Sequence, residues 1–297
     1  MVGGSNINAK DYPFEYFGAA ALAAAINYPL WRASAIAQSG FAVPMVSLAG
    51  QRLPPALAPY VFAFGPPYKG LVATVAGMTW ARAAIFWGSD AGKAFLRQYP
   101  DVVPDSLATL LPPLVVSSTV QVLNQPLVRS TITIQDPSSK LPSVPAALRH
   151  IAANHGIASL WHGTSAGILK TVPKYCTAVL VKDFMDEHVL EPIDPHSPTA
   201  HQDRLLRSAC KSVVAGVAGA ALTNPLDVIR NKMFQTNQGL LDTVRHLYQT
   251  EGWSFLHKGL GKNMVAVAIP VACTIFFTDG LVQYSSQRRL RMQEENN

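Results

Sequence analysis

Charge is scarce in this sequence. Only 14% of its 297 residues are Asp, Glu, Lys or Arg, against the roughly 25% of an ordinary soluble chain. Because 49% are apolar, water is not the solvent this composition suits, and a helical membrane protein is expected. Cysteine is scarcer still: Cys176, Cys210 and Cys273 are an odd number, far apart and each in an apolar stretch, which excludes a disulfide framework or a zinc site of paired ligands. The start of the chain carries one lysine, Lys10, followed at once by Asp11 and then Glu15. It has neither the apolar core of a secretory signal nor the arginine-rich face of a transit peptide, so any import signal is expected to be internal. No Ser/His/Asp arrangement, phosphate-cradling loop or carboxylate pair on a soluble scaffold is present, which excludes catalysis. The histidines at 150, 155, 162, 188, 196 and 201 lie in connecting segments without acid or cysteine partners, so no metal site is expected. The net charge of +6 is not gathered into a Lys/Arg stripe on a base-reading module. Nucleic acid is therefore excluded, while anionic lipid and anionic solutes suit the mild excess.

Long apolar stretches are present, although none is a pure hydrocarbon run. They lie near 14–37, 70–89, 108–133, 164–184, 207–233 and 260–281, each close to the ~20 residues that cross a bilayer. Arg32, Arg82, Arg129, Lys170, Lys174, Lys211 and Arg230 interrupt them. Such residues inside a span face a bundle interior or a water-filled cavity, so the pattern fits either a closed structural bundle or a solute path.

Self-comparison determines the architecture. Pro29-Leu30, Pro126-Leu127 and Pro225-Leu226 recur at intervals of 97 and 99 residues. Downstream of each comes an aromatic residue or histidine, then a base or histidine, then glycine: Tyr68-Lys69-Gly70, Trp161-His162-Gly163 and His257-Lys258-Gly259. The last two follow His155-Gly156 and Glu251-Gly252 at equal distance, and Asp90, Asp183 and Asp279 stand twenty positions past the three glycines. Proline inside a helix removes one hydrogen bond and clashes with the preceding turn, so three kinked helices are expected.

In these features, and above all in LTNPLDVIRNK, where Pro225, Asp227 and Arg230 fill a proline, acid and base pattern, the chain resembles the mitochondrial carrier family from about residue 14 to 285. The resemblance implies an all-α membrane protein of six transmembrane helices in three tandem repeats with threefold pseudosymmetry. The whole of 1–297 is then one carrier domain, with repeats near 14–106, 107–203 and 204–285 and a basic, polar tail at 286–297. Each repeat is a helix kinked at Pro29, Pro126 or Pro225, a short matrix helix, and an even-numbered helix. The resemblance makes Asp227 and Arg230 the matrix gate, and Asp90, Lys93, Asp183 and Asp279 the opposite one. It points to Gly77, Lys170 and Ala266 as substrate-contact positions, with Arg82 and Lys174 adding positive potential unless they snorkel or pair with Asp183. No cofactor is implied beyond anionic phospholipid such as cardiolipin near Gly70, Gly163 and Gly259. The implied location is the mitochondrial inner membrane, multi-pass, with lipids and other inner-membrane subunits as partners. Orientation rests on the resemblance alone, because Lys and Arg are equally numerous on the two sides.

The first two repeats depart from the pattern where it carries charge. Trp31 and Ser34 follow Pro29, and Val128 and Thr131 follow Pro126, at the acid and base positions. Arg32 and Arg129 stand one place after the acid position, turned from it by about 100° on a helix, and two places before the base position. A cyclic network of three ion pairs is thereby excluded, leaving an Asp227–Arg230 contact within one helix as the bland reading. On the opposite side only Asp90 has a base three residues on. Lys170 is the sole contact position with a functional group. From these losses a transport-degenerate, structural or accessory subunit of an inner-membrane complex is expected; the alternative is an active transporter of a small, weakly charged or anionic metabolite. The proline-punctuated connector Phe41 to Gly70 is apolar and expected to contact a partner chain or lipid headgroups.

Overall fold

A computed structural model of the chain describes residues 12–44, 47–48, 51–52, 54, 57–65, 68–190 and 199–295. It is a helical bundle. The helices are α1 (Pro13–Ile26), α2 (Tyr28–Ser39), α3 (Ala58–Phe64), α4 (Leu71–Leu96), α5 (Asp105–Thr133), α6 (Val144–His155), α7 (Thr164–Leu169), α8 (Thr171–His188), α9 (Ala200–Thr236), α10 (Leu240–Glu251) and α11 (Leu260–Glu295). A two-residue hairpin, β1 (Ser47–Leu48) paired antiparallel with β2 (Gln51–Arg52), interrupts the first connector. Among the described residues, four helical stretches are long and apolar enough to cross a membrane: Leu71–Leu96, Asp105–Thr133, Gln202–Thr236 and Leu260–Ser285. The other two expected spans are broken, α1 with α2 at Asn27 and α7 with α8 at Lys170.

Proline accounts for both breaks. Pro29 has no N–H for the carbonyl of Ala25, and its ring crowds that carbonyl. The expected kink is here a full interruption, in which Asn27 donates its side-chain Nδ2 to Ala23 O at 2.7 Å and α2 starts afresh with Pro29 in its first turn. Pro173 acts likewise four residues after Leu169, where α7 ends. Pro126 and Pro225 instead lie inside the continuous helices α5 and α9. Gly216 and Gly219 let α9 pack closely on both sides: an added Cβ would meet Val267 of α11 at 3.1 Å and Lys174 of α8 at 3.4 Å.

Threefold pseudosymmetry shows most clearly at the ends of the odd-numbered spans. The residue before each repeat proline donates to the carbonyl of the residue before each repeat glycine. Tyr28 Oη bonds Lys69 O, Gln125 Nε2 bonds His162 O at 2.8 Å, and Asn224 Nδ2 bonds Lys258 O at 3.1 Å. All three donors are buried. Each glycine then begins an even-numbered span in the left-handed region, at φ 80° for Gly70, 82° for Gly163 and 69° for Gly259. The space over each glycine is taken by the next repeat in cyclic order. An added Cβ would come within 2.7 Å of Ile134, 2.6 Å of Phe234 and 2.8 Å of Gln38, respectively. Gln135 reinforces the ring by donating to Tyr28 Oη at 3.1 Å, and Gln38 by donating to Asn224 Oδ1 at 3.0 Å.

The short connecting helices α6 and α10 precede Gly163 and Gly259, each continued by a 3-10 turn, Ile157–Trp161 and Gly252–His257. In the first repeat the seven-residue α3 is what remains of that helix. It folds back onto the bundle: Pro59 and Ala63 are buried, and Lys262 of α11 lies over the Tyr60 ring at 5.6 Å. Part of the connector expected to meet a partner chain or lipid headgroups thus packs on its own bundle at Pro59 and Ala63, because proline in the first turn of α3 and a run of aromatic residues give it an apolar face. Positions 45–46, 49–50, 53, 55–56 and 66–67 of the connector lie outside the described residues.

Candidate functional site

Arg32 and Arg129 bind the ends of connecting and neighbouring helices. Arg32 lies over the Phe62 ring at 4.9 Å and donates to Gly65 O at 2.9 Å and Ala63 O at 3.4 Å, at the end of α3. Arg129, 1% exposed, donates to Ser159 O, to Asn237 Oδ1 and, at 3.5 Å, to Phe234 O. A cation on the last carbonyls of a helix meets the negative end of its dipole. These arginines are therefore clasps on helix ends, and standing two places before the base position has taken them out of the gate.

Three of the four gate positions of the first two repeats, Trp31, Val128 and Thr131, line a space of about 140 Å³ together with Gly77, Asn124 and Arg230; the fourth, Ser34, is buried outside it. No ion pair spans it among the described residues. Gly77 faces α5 at close range, since an added Cβ would sit 2.4 Å from Leu127 Cδ2. Ala266 is half-buried on α11 and lines neither this space nor the larger one.

The larger space, about 360 Å³, is bounded by Ala81 and Ile85 of α4, by Ser117, Gln121 and Asn124 among others of α5, and by Lys170, Thr171 and Lys174 at the α7–α8 break. That volume is in the range of small-molecule sites. The break caused by Pro173 puts Lys170 at the junction, with Lys174 one turn on and on the same face. The Lys170 Nζ donates to Asp227 Oδ1 at 2.6 Å, and Arg230 Nη2 reaches the same oxygen at 2.8 Å. The pairing expected within α9 alone is thus a cluster of three, tying the second repeat to the third. Its members are well shielded, with side chains 16% exposed for Lys170, 12% for Asp227 and 10% for Arg230. Lys174 lines the cleft within charge–charge range of Asp227, Arg82 and Arg230. The Nη1 of Arg82 reaches Thr274 Oγ1 on α11 at 3.5 Å, while its expected pairing with Asp183 falls on a side chain outside the described residues.

Three cations, Lys170, Lys174 and Arg230, therefore act on Asp227, and Arg82 lies within charge–charge range of Lys174. At an effective dielectric of about 20, a unit charge pair 4 Å apart is worth roughly 4 kcal/mol, so among the described residues Asp227 alone does not offset these positive charges. The excess favours an anion in the cleft. Sequence reasoning found each charged residue singly; it missed that Asp227 and Lys170 meet, because nothing in the spacing of α8 and α9 reports their packing. The opposite gate is more dispersed. Asp90 and Lys93 lie on α4, and Asp279, buried on α11, accepts from Gln283 Nε2 at 2.8 Å. The side chain of Asp183 on α8 lies outside the described residues.

Comparison with known proteins agrees with this architecture. The model of a family described as mitochondrial carrier protein matches residues 114–192 and 201–289. The mitochondrial arginine transporter BAC2 of Arabidopsis thaliana is 27% identical over 214 residues, covering 70% of this chain and 70% of that protein. S-adenosylmethionine carrier 1 of the same plant, chloroplastic/mitochondrial by name, is 25% identical over 241 residues, 77% of this chain and 68% of that protein. The plant's chloroplastic protein MITOFERRINLIKE 1 is 25% identical over 217 residues, 67% of this chain but 49% of that protein. The chain thus spans about half the length of MITOFERRINLIKE 1, and 28% of the probable adenine nucleotide transporter BTL3. The family match covers more than half of the sequence and two of its three repeats, and the first repeat has the same proline-to-glycine bond as the others: the chain belongs to the mitochondrial carrier protein family.

Proposed function

We propose that this chain is a solute carrier of the mitochondrial inner membrane that moves a small anionic metabolite. One observation carries the proposal: a cleft of about 360 Å³ whose wall presents Lys170 and Lys174, with Arg82 and Arg230 within charge–charge range of Lys174 and Asp227 as the carboxylate of the cluster. Desolvated cations are costly unless an anion meets them, so the cleft selects against cationic solutes. Relatives whose names state transport of arginine, S-adenosylmethionine or adenine nucleotides support a transporting role. They give no support to the accessory-subunit role expected from counting lost gate charges. A gate need not be a full ring of ion pairs: the neutral layer of Trp31, Val128 and Thr131 closes by packing, and the Lys170–Asp227–Arg230 cluster supplies its charged part. Anionic phospholipid such as cardiolipin is proposed at Gly70, Gly163 and Gly259, where α4, α7 and α11 begin with N–H groups that have no partner within the helix.

Thermal unfolding of the purified protein in detergent tests the solute class. Acetate, malonate and phosphate are compared with arginine and choline at matched ionic strength. A rise in Tm with at least one anion and with neither cation is the expected result. Stabilisation by the cations alone would overturn the assignment.

A further inference from the structure

The cluster at Asp227 bears on how solute occupancy is sensed. This inference rests on the transporter reading above. Lys170 belongs to two structures at once: it lines the cleft between α4, α5 and α8, and its Nζ is held by Asp227 on α9 at 2.6 Å. Asp227 stands at the acid position of the third repeat, level with Trp31 and Val128 in the gate. Lys174, on the same face as Lys170, also lines the cleft, and among the described residues no carboxylate is paired with it. The positively charged wall therefore has one nitrogen already holding an acid and a second available to a solute.

We infer that Asp227 is a tethered competitor for the transported anion: it holds Lys170 until the carboxylate or phosphate of a solute docked on Lys174 takes its place. The exchange is conservative in bonds. Asp227 Oδ1 receives both Lys170 Nζ and Arg230 Nη2, so when Lys170 turns to the solute, the carboxylate keeps Arg230 on its own helix, three residues away. No charge is stranded in the shielded interior, which is the costly outcome when a buried pair loses one member. The consequence is mechanical. Lys170 lies in the second repeat and Asp227 in the third, so solute binding removes a charged tie between α8 and α9 next to the gate layer. Solute in the cleft and closure at the gate then draw on one nitrogen, and each disfavours the other by the same coupling free energy.

A competitor that occupies the binding group lowers the apparent affinity by the fraction of molecules in which the group is available. Removing the competitor must therefore tighten binding. The experiment titrates the purified protein with malonate, phosphate and acetate, reading half-saturation from the thermal shift, and measures uptake of the same labelled anions into liposomes. Asp227→Asn is expected to lower half-saturation on the order of tenfold and to slow uptake, since binding no longer releases the tie. Lys174→Gln leaves the Lys170–Asp227 pair in place and is expected to raise half-saturation by a similar factor; it tests the docking step even if Asp227→Asn fails to fold. Half-saturation unchanged or raised in Asp227→Asn, with the wild type binding and transporting an anion, would overturn the competitor and leave the transporter standing. An unchanged value in Lys174→Gln would likewise overturn the proposed exchange. Absence of both stabilisation and uptake for all three anions in the wild type would overturn the transporter reading, and the competitor with it.

Discussion

Asn224 grips the carbonyl of Lys258 through a 3.1 Å hydrogen bond from its Nδ2, and so fixes the residue before Pro225 to the residue before Gly259. Gln125 and His162 repeat the relationship at 2.8 Å, and Tyr28 and Lys69 complete it. Three different side chains thus perform one task, which is to fasten the odd-numbered span of a repeat to the start of its even-numbered span. These bonds are neutral, buried and intact in all three repeats, whereas the charged gate pattern survives in one.

Removing such a donor leaves a buried carbonyl without a partner, at a cost of about 1–3 kcal/mol. Gln125→Leu and Asn224→Leu should each lower the Tm of the detergent-purified protein, while Leu123→Ala, on the exposed side of α5, should leave it nearly unchanged. Equal Tm values for Gln125→Leu and the wild type would show that the bond is dispensable.

The glycines allow a separation of backbone strain from crowding. Gly70, Gly163 and Gly259 combine positive φ with a neighbour under 3.0 Å from an added Cβ, whereas Gly156 and Gly252 have positive φ with nothing within 4 Å. Gly156 and Gly252, at ψ 158° and −146°, occupy a region that is essentially confined to glycine, so alanine there should cost a backbone penalty of about 1–3 kcal/mol. At the three repeat glycines the left-handed backbone alone costs roughly 1–2 kcal/mol, and alanine should cost visibly more than that because Ile134, Phe234 or Gln38 must also move. Thermal unfolding of the five alanine variants checks this, and losses at the three repeat glycines no larger than the left-handed penalty would remove the packing argument.

Arg129 offers a test of the clasp. A lysine in its place keeps the charge but not the planar fork that reaches Ser159 O, Phe234 O and Asn237 Oδ1. Arg129→Lys should lower stability by about 1.5–3 kcal/mol, the range for hydrogen bonds to charged groups, without changing the half-saturation for anions, since Arg129 lies outside the cleft. Altered anion affinity with unchanged Tm would place it in the solute path instead.

The repeat period made the fold legible, since proline, glycine and aspartate recur at one spacing and each has a backbone or capping reason to be there. The charged residues of the site were legible too: Lys170, Asp227 and Arg230 are apolar-segment charges in motif positions. Their union was not, because Lys170 and Asp227 are 57 residues apart and meet only through the packing of α8 on α9. Arg32 and Arg129 showed in sequence that they had left the gate, but not that they had become clasps on helix ends. Tyr28, Gln125 and Asn224 carried a faint signal, one polar-headed residue before each repeat proline, although three unlike side chains hide a shared role until their partners are seen. Pro29 likewise marked a bend, yet the full break at Asn27 depends on that asparagine capturing Ala23 O.

Transport itself is the decisive measurement. The purified protein is reconstituted into liposomes and uptake of labelled acetate, malonate and phosphate is followed beside that of labelled arginine, for the wild type and for the Lys170→Gln, Lys174→Gln double variant. Saturable uptake of at least one anion, none of arginine, and loss of anion uptake in a double variant that still folds is the result the cationic cleft predicts. Saturable uptake of arginine, or anion uptake that survives loss of both lysines, would contradict it.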